Sequence, residues 1–226
     1  MPSKPPTAFV FVLAFFATLA LYPLVGGKFG VDLVTKIMIY AIFALSLELL
    51  VGGTGLVCFG QAAFFGIGAY ATVLLSPSSD PAGLALWVLA ILAASIYAFV
   101  VGALSLRTSG VYFIMVTLAF AQMAYYVVHD TPLGGGTDGI YLYIKPVFGP
   151  FDLDQPHILY FVTLLSLIAV FVFLARLSVS RFGRALAGIR VNEQRMRATG
   201  FSTYPYKLAA FTISGGLAGL AGFLFA

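Results

Sequence analysis

Charged residues are scarce in this sequence, and their scarcity excludes an ordinary soluble fold. Only 9% of the 226 residues are charged, whereas 61% are hydrophobic. Soluble domains contain about 25% charged residues, so a globular surface in water would be short of charge. We therefore expect an integral membrane protein with an all-α fold, a polytopic bundle of transmembrane helices.

Cysteine and recognisable catalytic motifs are also nearly absent. Cys58 is the only cysteine, which excludes an intrachain disulfide. The glycine run at 134–139 formally fits G-x-G-x-x-G, but no strand pattern precedes it and no helix pattern follows. Asp152 and Asp154 lack the further oxygen ligands of a cation site. The sequence predicts no catalytic residue, no metal site and no cofactor, and nothing in it supports nucleic-acid binding.

Apolar runs fill most of the chain. A transmembrane helix needs about 20 apolar residues, and seven runs approach this length, at 8–25, 34–52, 56–75, 83–104, 109–128, 158–175 and 207–226. The first run exceeds the apolar region of a signal peptide, so we expect it to be retained. The whole chain, 1–226, is predicted to be one transmembrane domain. Its last run reaches Ala226 without a polar flank, so we expect a longer protein with further spans.

Basic residues concentrate in one loop between two apolar runs. Six of the twelve Lys and Arg residues lie between Arg176 and Arg197. Because basic loops resist transfer across the membrane, the segment 176–206 is predicted to be cytoplasmic. Counting back through the spans places the N-terminus inside as well and the loop at 130–157 outside. On this topology nine basic residues lie inside and three outside.

The basic loop is also patterned as two short helices. An apolar face at helical spacing is formed by Phe182, Ala185, Leu186, Ile189 and Met196. Asn192 is suited to cap a second helix and Gly200 to end it. A short capped helix displayed by a membrane protein predicts contact with another protein. The alternative is a basic amphipathic helix that lies on anionic lipid.

Glycines crowd the beginning of the third apolar run. They are Gly52, Gly53, Gly55, Gly60, Gly66 and Gly68. Glycine in a helix interior costs about 1 kcal/mol relative to alanine, so the helix is predicted to be broken or very closely packed. A broken helix favours a transport pathway, whereas small residues spaced as Ala62 and Gly66 favour helix packing. Two packing pairs are also predicted in the last run, Gly215 with Gly219 and Ala218 with Gly222.

Few polar residues occur inside the spans. A charge at the centre of a helix costs about 2.5 to 3.5 kcal/mol on insertion scales, so Glu48 is expected to face protein or water. The candidates for a substrate pathway are Glu48, Gly60, Gln61, Gly66 and Gln122. The alternative for each polar candidate is a structural contact with a neighbouring helix.

Four separated motifs resemble one protein family. They are GLVCFGQAAFFGIGAY at 55–70, RTSGVYF at 107–113 with TLAFAQ at 117–122, GGTDG at 135–139, and FGRALAGIRVNE at 182–193, which continues through ATG at 198–200 into KLAAF at 207–211. In this order they are similar to the LivM/LivH-type inner-membrane permeases of bacterial branched-chain amino-acid ABC transporters. The LivM branch is the closer one, and the similarity runs from about residue 38 to the last residue.

The resemblance implies a passive permease subunit in the bacterial inner membrane. Its implied partners are a second permease subunit, two cytoplasmic ATP-binding subunits and a periplasmic substrate-binding protein, all serving import into the cell. The basic loop would contact an ATPase, and the implied coupling residues are Arg190, Asn192, Glu193, Met196, Arg197 and Gly200.

Three other functions remain as alternatives. A permease for urea or short amides would share the same architecture. An ATP-independent secondary transporter or channel would need paired ionisable groups deep in the spans, and only Glu48 is a candidate. A non-transporting scaffold would also present a basic loop, but it would not need the glycine-rich segment.

Overall fold

The computed structural model describes residues 6–24, 27–76, 83–131, 147–148, 151–152 and 156–226. Its long apolar helices are α1 (Pro6–Leu21), α2 (Lys28–Glu48), α3 (Gln61–Leu75), α4 (Gly83–Ser105), α5 (Val111–Asp130), α6 (Pro156–Val179) and α9 (Thr203–Phe225). Two short helices, α7 (Arg181–Val191) and α8 (Glu193–Ala198), lie between α6 and α9. Strands β1 (Val147–Phe148) and β2 (Phe151–Asp152) form an antiparallel pair between α5 and α6. The predicted helical bundle is confirmed.

Each predicted apolar run corresponds to one long helix, but the helices differ in length. Five helical stretches in the described residues are long and apolar enough to cross a membrane: Lys28–Thr54, Ala85–Ser105, Val111–Asp130, Pro156–Val179 and Thr203–Phe225. Helix α1 has 16 residues and α3 has 15. At 1.5 Å per residue α3 is about 22 Å long, shorter than the ~30 Å hydrocarbon core. The expected full span at 56–75 was therefore too long, because helix begins only at Gln61.

The glycine-rich break lies between α2 and α3. Helix α2 continues as a π-helical turn, Leu49–Thr54, and ends at Gly55, whose φ of 75° is left-handed. A side chain at Gly55 would be strained there. Residues 55–60 carry the chain to Gln61 without regular helix. The predicted break is thus confirmed, and it precedes α3 rather than interrupting it.

Helix α9 is the central helix of the bundle and packs against α2, α3 and α4. Its glycines allow this close approach, because a Cβ on Gly219 would collide with Ala94 of α4 and one on Gly222 with the carbonyl of Phe65 on α3. Gly215 is equally close to Ala98. The predicted packing role of the two small-residue pairs in α9 is confirmed.

The peripheral helices are held by apolar and aromatic contacts. Helix α6 packs against α2, and α1 lies against α6, where the Tyr160 hydroxyl donates to the Leu19 carbonyl. Around α9, the ring of Phe211 meets Phe64 of α3 and Phe113 of α5 edge to face. The loop predicted at 130–157 agrees with the end of α5 and the start of α6, although most of it, including the glycine run at 134–139, lies outside the described residues.

Candidate coupling surface and substrate groove

The basic loop packs on one end of the bundle. There the Arg190 guanidinium donates a hydrogen bond to the carbonyl of Gly52 at the end of α2. The Tyr204 hydroxyl donates a hydrogen bond, 2.9 Å long, to the carbonyl of Ala103 near the end of α4. The ends of α2, α4 and α6 and the start of α9 therefore lie together, and we call this region the arginine end. Helix α7 buries Leu186 and Ile189 against it. The predicted apolar face is thus confirmed for α7.

Helix α7 follows α6 after a sharp turn. The Ser180 hydroxyl accepts a hydrogen bond from the Gly183 amide at 3.2 Å and caps the first turn of α7. A Cβ on Gly183 would lie 2.6 Å from the Cα of Ser178, so only glycine fits this close approach. The turn directs α7 back across the arginine end.

Both ends of α8 are fixed by the residues that the sequence indicated. The Asn192 side chain accepts a hydrogen bond from the Arg195 amide at 2.9 Å and caps the helix. At the other end the Gly200 amide donates a hydrogen bond to the Arg197 carbonyl at 2.9 Å, and the Phe201 amide donates one to the Met196 carbonyl at 3.1 Å. Gly200 has a φ of 81°. This is the Schellman arrangement, which ends a helix by satisfying its last carbonyls.

Four of the predicted coupling residues contact other parts of the same chain: Met196, Arg190, Glu193 and Arg197. Met196 is half-buried, and its sulfur would lie 3.2 Å from a Cβ on Gly188 of α7. The side chain of Arg190 covers Gly55 as well as bonding to Gly52. The Met196 contact packs α8 on α7, and the Arg190 contacts hold α7 on the end of α2; we call α7 and α8 together the α7–α8 hairpin.

Glu193 is the third, and it joins α8 to the start of α9. Its Oε1 accepts hydrogen bonds from Arg197 Nη2 at 2.7 Å, Lys207 Nζ at 2.8 Å and the Thr203 hydroxyl at 2.9 Å. Arg197 Nε also donates to the Thr203 hydroxyl at 3.1 Å. We call these four residues the Glu193 cluster. The sequence places Glu193 and Arg197 four residues apart, the spacing at which side chains pair on a helix. Thr203 and Lys207 come ten and fourteen positions after Glu193, and sequence reasoning did not select them.

The cluster perturbs the ionisation of its carboxylate. Desolvation by burial raises the pKa of Glu193, but hydrogen bonds from Lys207 and Thr203 and the Lys207 charge lower it more. The net result is a pKa below the ordinary 4.5. Glu193 is therefore an anion at neutral pH, opposite a lysine whose side chain is only 9% exposed.

The outward surface of the hairpin includes three residues that sequence reasoning did not select. Val191, Gln194 and Arg195 are all exposed, and we call them the hairpin tip. Val191 is 85% exposed, more than any other large hydrophobic residue in the described part of the chain. With the neighbouring Gln194 and Arg195, it gives the tip a mixed apolar and basic surface. The available signal was that Val191 is an apolar residue that lies off the apolar face of α7.

Two of the predicted pathway residues are packed inside the bundle. Gln61 is buried, and its amide donates 2.9 Å to the hydroxyls of both Ser46 on α2 and Ser214 on α9. Gly60 lies against α5, because a Cβ there would come within 2.7 Å of the Thr117 carbonyl. Both residues hold helices together at this position.

Two others meet in an open groove between α3 and α5. The groove has a volume of about 470 Å³, with Gly66 on one wall and Gln122 on the other. Its polar lining also includes Tyr70, Tyr125 and His129. Gly66 has open space where a Cβ would project. No helix of the described chain therefore packs at Gly66, although its spacing from Ala62 favoured helix packing. The groove is the feature that most resembles a substrate surface.

Glu48 lies apart from that groove. It is exposed at the end of α2, where it borders a larger groove of about 840 Å³ between α1, α2 and α6. The other lining residues are apolar, as expected of a surface that faces lipid. The five predicted pathway residues therefore do not form one site. Within the described residues no three His, Cys, Asp or Glu side chains are grouped to hold a metal ion.

Comparison with known proteins agrees with the helices and motifs. The family described as branched-chain amino acid transport system / permease component matches residues 29–226. The chain belongs to this family. Two curated relatives, each described as high-affinity branched-chain amino acid transport system permease protein LivM, come from Salmonella typhimurium and Escherichia coli K12. No solved structure matches the chain.

The two relatives also set the extent of the similarity. Each is 32% identical over 244 aligned residues, which cover 96% of this chain and 57% of the relative. The chain thus spans somewhat over half the length of these curated relatives. The resemblance drawn from the four motifs is confirmed.

Proposed function

We propose that this chain forms the membrane-spanning permease of an ABC importer that moves branched-chain amino acids into the cell. It would lie in the bacterial inner membrane with its N-terminus and arginine end in the cytoplasm. Its partners would be a second permease subunit, two ATP-binding subunits and a periplasmic binding protein. Family membership supports the transport role, and the names of the two relatives support the substrate class.

The observation that carries the proposal is the α7–α8 hairpin. It is capped, packed on the end of α2 and on α9, and exposes an apolar and basic tip, Val191, Gln194 and Arg195. A helix that only lay on lipid would direct its apolar face toward the membrane, but the apolar residues of α7 are buried in the protein. An ATP-binding subunit that docked on the tip would reach α2 and α9 through it. Asn192 and Gly200 would set the shape of this surface.

The groove between α3 and α5 is the proposed wall of the substrate path. It offers a largely apolar surface with one amide, from Gln122, and the polar ends of Tyr70, Tyr125 and His129. A second permease subunit would close its open side. The lining contains no Asp, Glu, Lys or Arg, so a zwitterionic solute would meet no fixed charge that holds it. Specificity would then come chiefly from the binding protein.

The lack of charged side chains in the groove also disfavours an ATP-independent transporter. Coupling to an ion gradient requires ionisable groups along the path, and the groove presents only His129. A urea or amide permease remains the second candidate, because Gln122 would also hydrogen-bond an amide.

Reconstitution of the whole transporter tests the proposal. The permease would be purified with its second permease subunit and its ATP-binding subunits and reconstituted in proteoliposomes together with the binding protein. Uptake of labelled leucine and of labelled urea would then be measured with and without ATP. We expect co-purification of the ATP-binding subunits and ATP-dependent leucine uptake. Uptake without ATP would refute the ABC assignment, whereas ATP-dependent uptake of urea but not leucine would refute only the substrate.

Arg195→Glu should weaken co-purification of the ATP-binding subunits.

A further inference from the structure

The Glu193 cluster joins two elements that only a short turn connects. Glu193 is the first residue of α8, and Lys207 lies in the second turn of α9. The Lys207 side chain is 9% exposed and the Glu193 side chain 32%. A lysine buried to this extent requires a charge partner, and loss of the partner leaves an uncompensated buried charge. Glu193 is that partner within the described residues.

We propose that Glu193 is a positioning residue that fastens α8 to α9, so that movement of α8 is delivered to the central helix of the bundle. This inference rests on the proposed function, since it concerns how a force applied by an ATP-binding subunit reaches the spans. It assigns the docking contact to the hairpin tip and the transmission of movement to the Glu193 cluster.

The hydrogen bonds of Glu193 favour this role over direct docking. Its Oε1 already accepts three hydrogen bonds from its own chain, from Arg197, Thr203 and Lys207. Docking through this oxygen would have to displace at least one of them and expose the charge of Lys207. By contrast, the side chain of Arg195, two residues further along α8 on the tip, makes no hydrogen bond or ion pair with any described residue. Arg195 is free to meet a partner, whereas Oε1 of Glu193 is already engaged within its own chain.

A second polar contact carries the connection from α9 to the groove. Two turns beyond Lys207, the Ser214 hydroxyl donates 2.6 Å to the Ser46 carbonyl of α2 and accepts from the Gln61 amide at 2.9 Å. Gln61 is the first residue of α3. The same helix carries Gly66 on the wall of the groove. The structure thus links α8, α9 and α3 through two sets of side-chain hydrogen bonds, a partly exposed set at Glu193 and a buried set at Gln61 and Ser214.

Exchanging the charges of Glu193 and Lys207 by mutation distinguishes this positioning role from direct docking. Glu193→Lys leaves three cations and no anion in the cluster, and Lys207→Glu leaves two carboxylates beside Arg197, whereas the double variant restores an opposite pair at positions 193 and 207 with the same total side-chain length. In the reconstituted transporter we measure bound ATP-binding subunits and leucine transported per ATP hydrolysed. Each single variant should keep the ATP-binding subunits bound and lower leucine transported per ATP by about fivefold or more. The double variant should regain most of the wild-type ratio of leucine transported to ATP hydrolysed.

Two further variants guard against a trivial loss of folding. Glu193→Gln keeps the shape of the side chain, and it should lower leucine per ATP at an unchanged amount of inserted protein. Asp32→Lys reverses an exposed acid near the start of α2, at the far end from the cluster, and should leave leucine per ATP unchanged.

Two outcomes would overturn the inference. A double variant no better than Glu193→Lys would show that the pair does not transmit movement. Loss of the ATP-binding subunits in Glu193→Lys, without recovery in the double variant, would make Glu193 a docking contact and leave the proposed function intact. Failure of the unmodified permease to bind any ATP-binding subunit would instead refute the proposed function.

Discussion

Single side chains at the arginine end connect separate helices. Arg190 bonds to Gly52, Tyr204 to Ala103, and Glu193 to Lys207. Exposed ion pairs on a helix stabilise by only about 0.2 to 0.5 kcal/mol, so the pair of Glu193 with Arg197 adds little by itself. The contact with buried Lys207 matters more, because breaking it would leave a cation without its partner in a poorly solvated site.

The lowered pKa of Glu193 predicts how stability depends on pH. A carboxyl whose pKa is lower in the folded state stabilises fully above its unfolded pKa, and this stabilisation is lost as pH falls through the folded value. The ordinary pKa is 4.5 and the native one lies below it. The thermal midpoint of the wild type in detergent should therefore exceed that of Glu193→Gln at neutral pH, and the difference should shrink below pH 4.5. A difference that grows on acidification would contradict the assigned hydrogen bonds.

At the scale of helices, close contact depends on where each glycine faces. Gly68 of α3 lies against the backbone of Gly219, whereas Gly66, half a turn away on the same helix, faces the open groove. The helical pattern of small residues does not distinguish these two positions. Their different surroundings make them a matched pair for mutation.

Alanine at these two positions should have opposite effects. Gly68→Ala places a Cβ against the Gly219 backbone, which cannot move aside, and should destabilise the fold by about 1 to 3 kcal/mol. Gly66→Ala meets no atom within 4 Å and should be neutral or stabilising by up to about 1 kcal/mol. Unfolding in detergent measures both changes. Equal destabilisation by the two variants would mean that α3 is rotated from the orientation described.

The end of α8 offers a second test at this scale. Gly200 has a φ of 81° with open space around it, so a side chain there meets backbone strain but no collision. Gly200→Val should therefore loosen the end of α8 and lower leucine transported per ATP while insertion is unchanged. Gly200→Asn should be milder, because asparagine tolerates the left-handed conformation. Normal coupling in Gly200→Val would show that transport does not depend on how α8 ends.

At the scale of the whole molecule, the packed helix ends define two faces. The ends of α2, α4 and α6 lie with α7, α8 and the start of α9, and the basic loop belongs to this face. Basic residues favour the cytoplasm, so we expect this face inside and the segment between α3 and α4 outside.

Cysteine labelling tests this topology. Single cysteines replace Ser79, between α3 and α4, and Ser202, before α9, in a Cys58→Ala background. An impermeant thiol reagent added to intact cells with a permeabilised outer membrane should label the first and not the second. Inverted membrane vesicles should show the reverse. Labelling of both from one side would require a different number of spans.

The sequence by itself determined the features that depend on neighbouring residues. Hydropathy located the apolar helices, and Asn192 and Gly200 marked the ends of α8, because helix length and capping depend on residues within a few positions. The four motifs were sufficient to identify the family. The glycine crowding also indicated a break, although the start of α3 was placed five residues too early.

Only the tertiary structure decided which side chains meet. Gln61 and Gln122 are both polar residues in apolar runs, yet one is buried between α2 and α9 and the other lines a groove. Glu193 was expected to face a partner, but Lys207 and Thr203 engage it from α9. These outcomes depend on the rotation and approach of helices distant in sequence, which a one-dimensional pattern of polar and small residues does not fix.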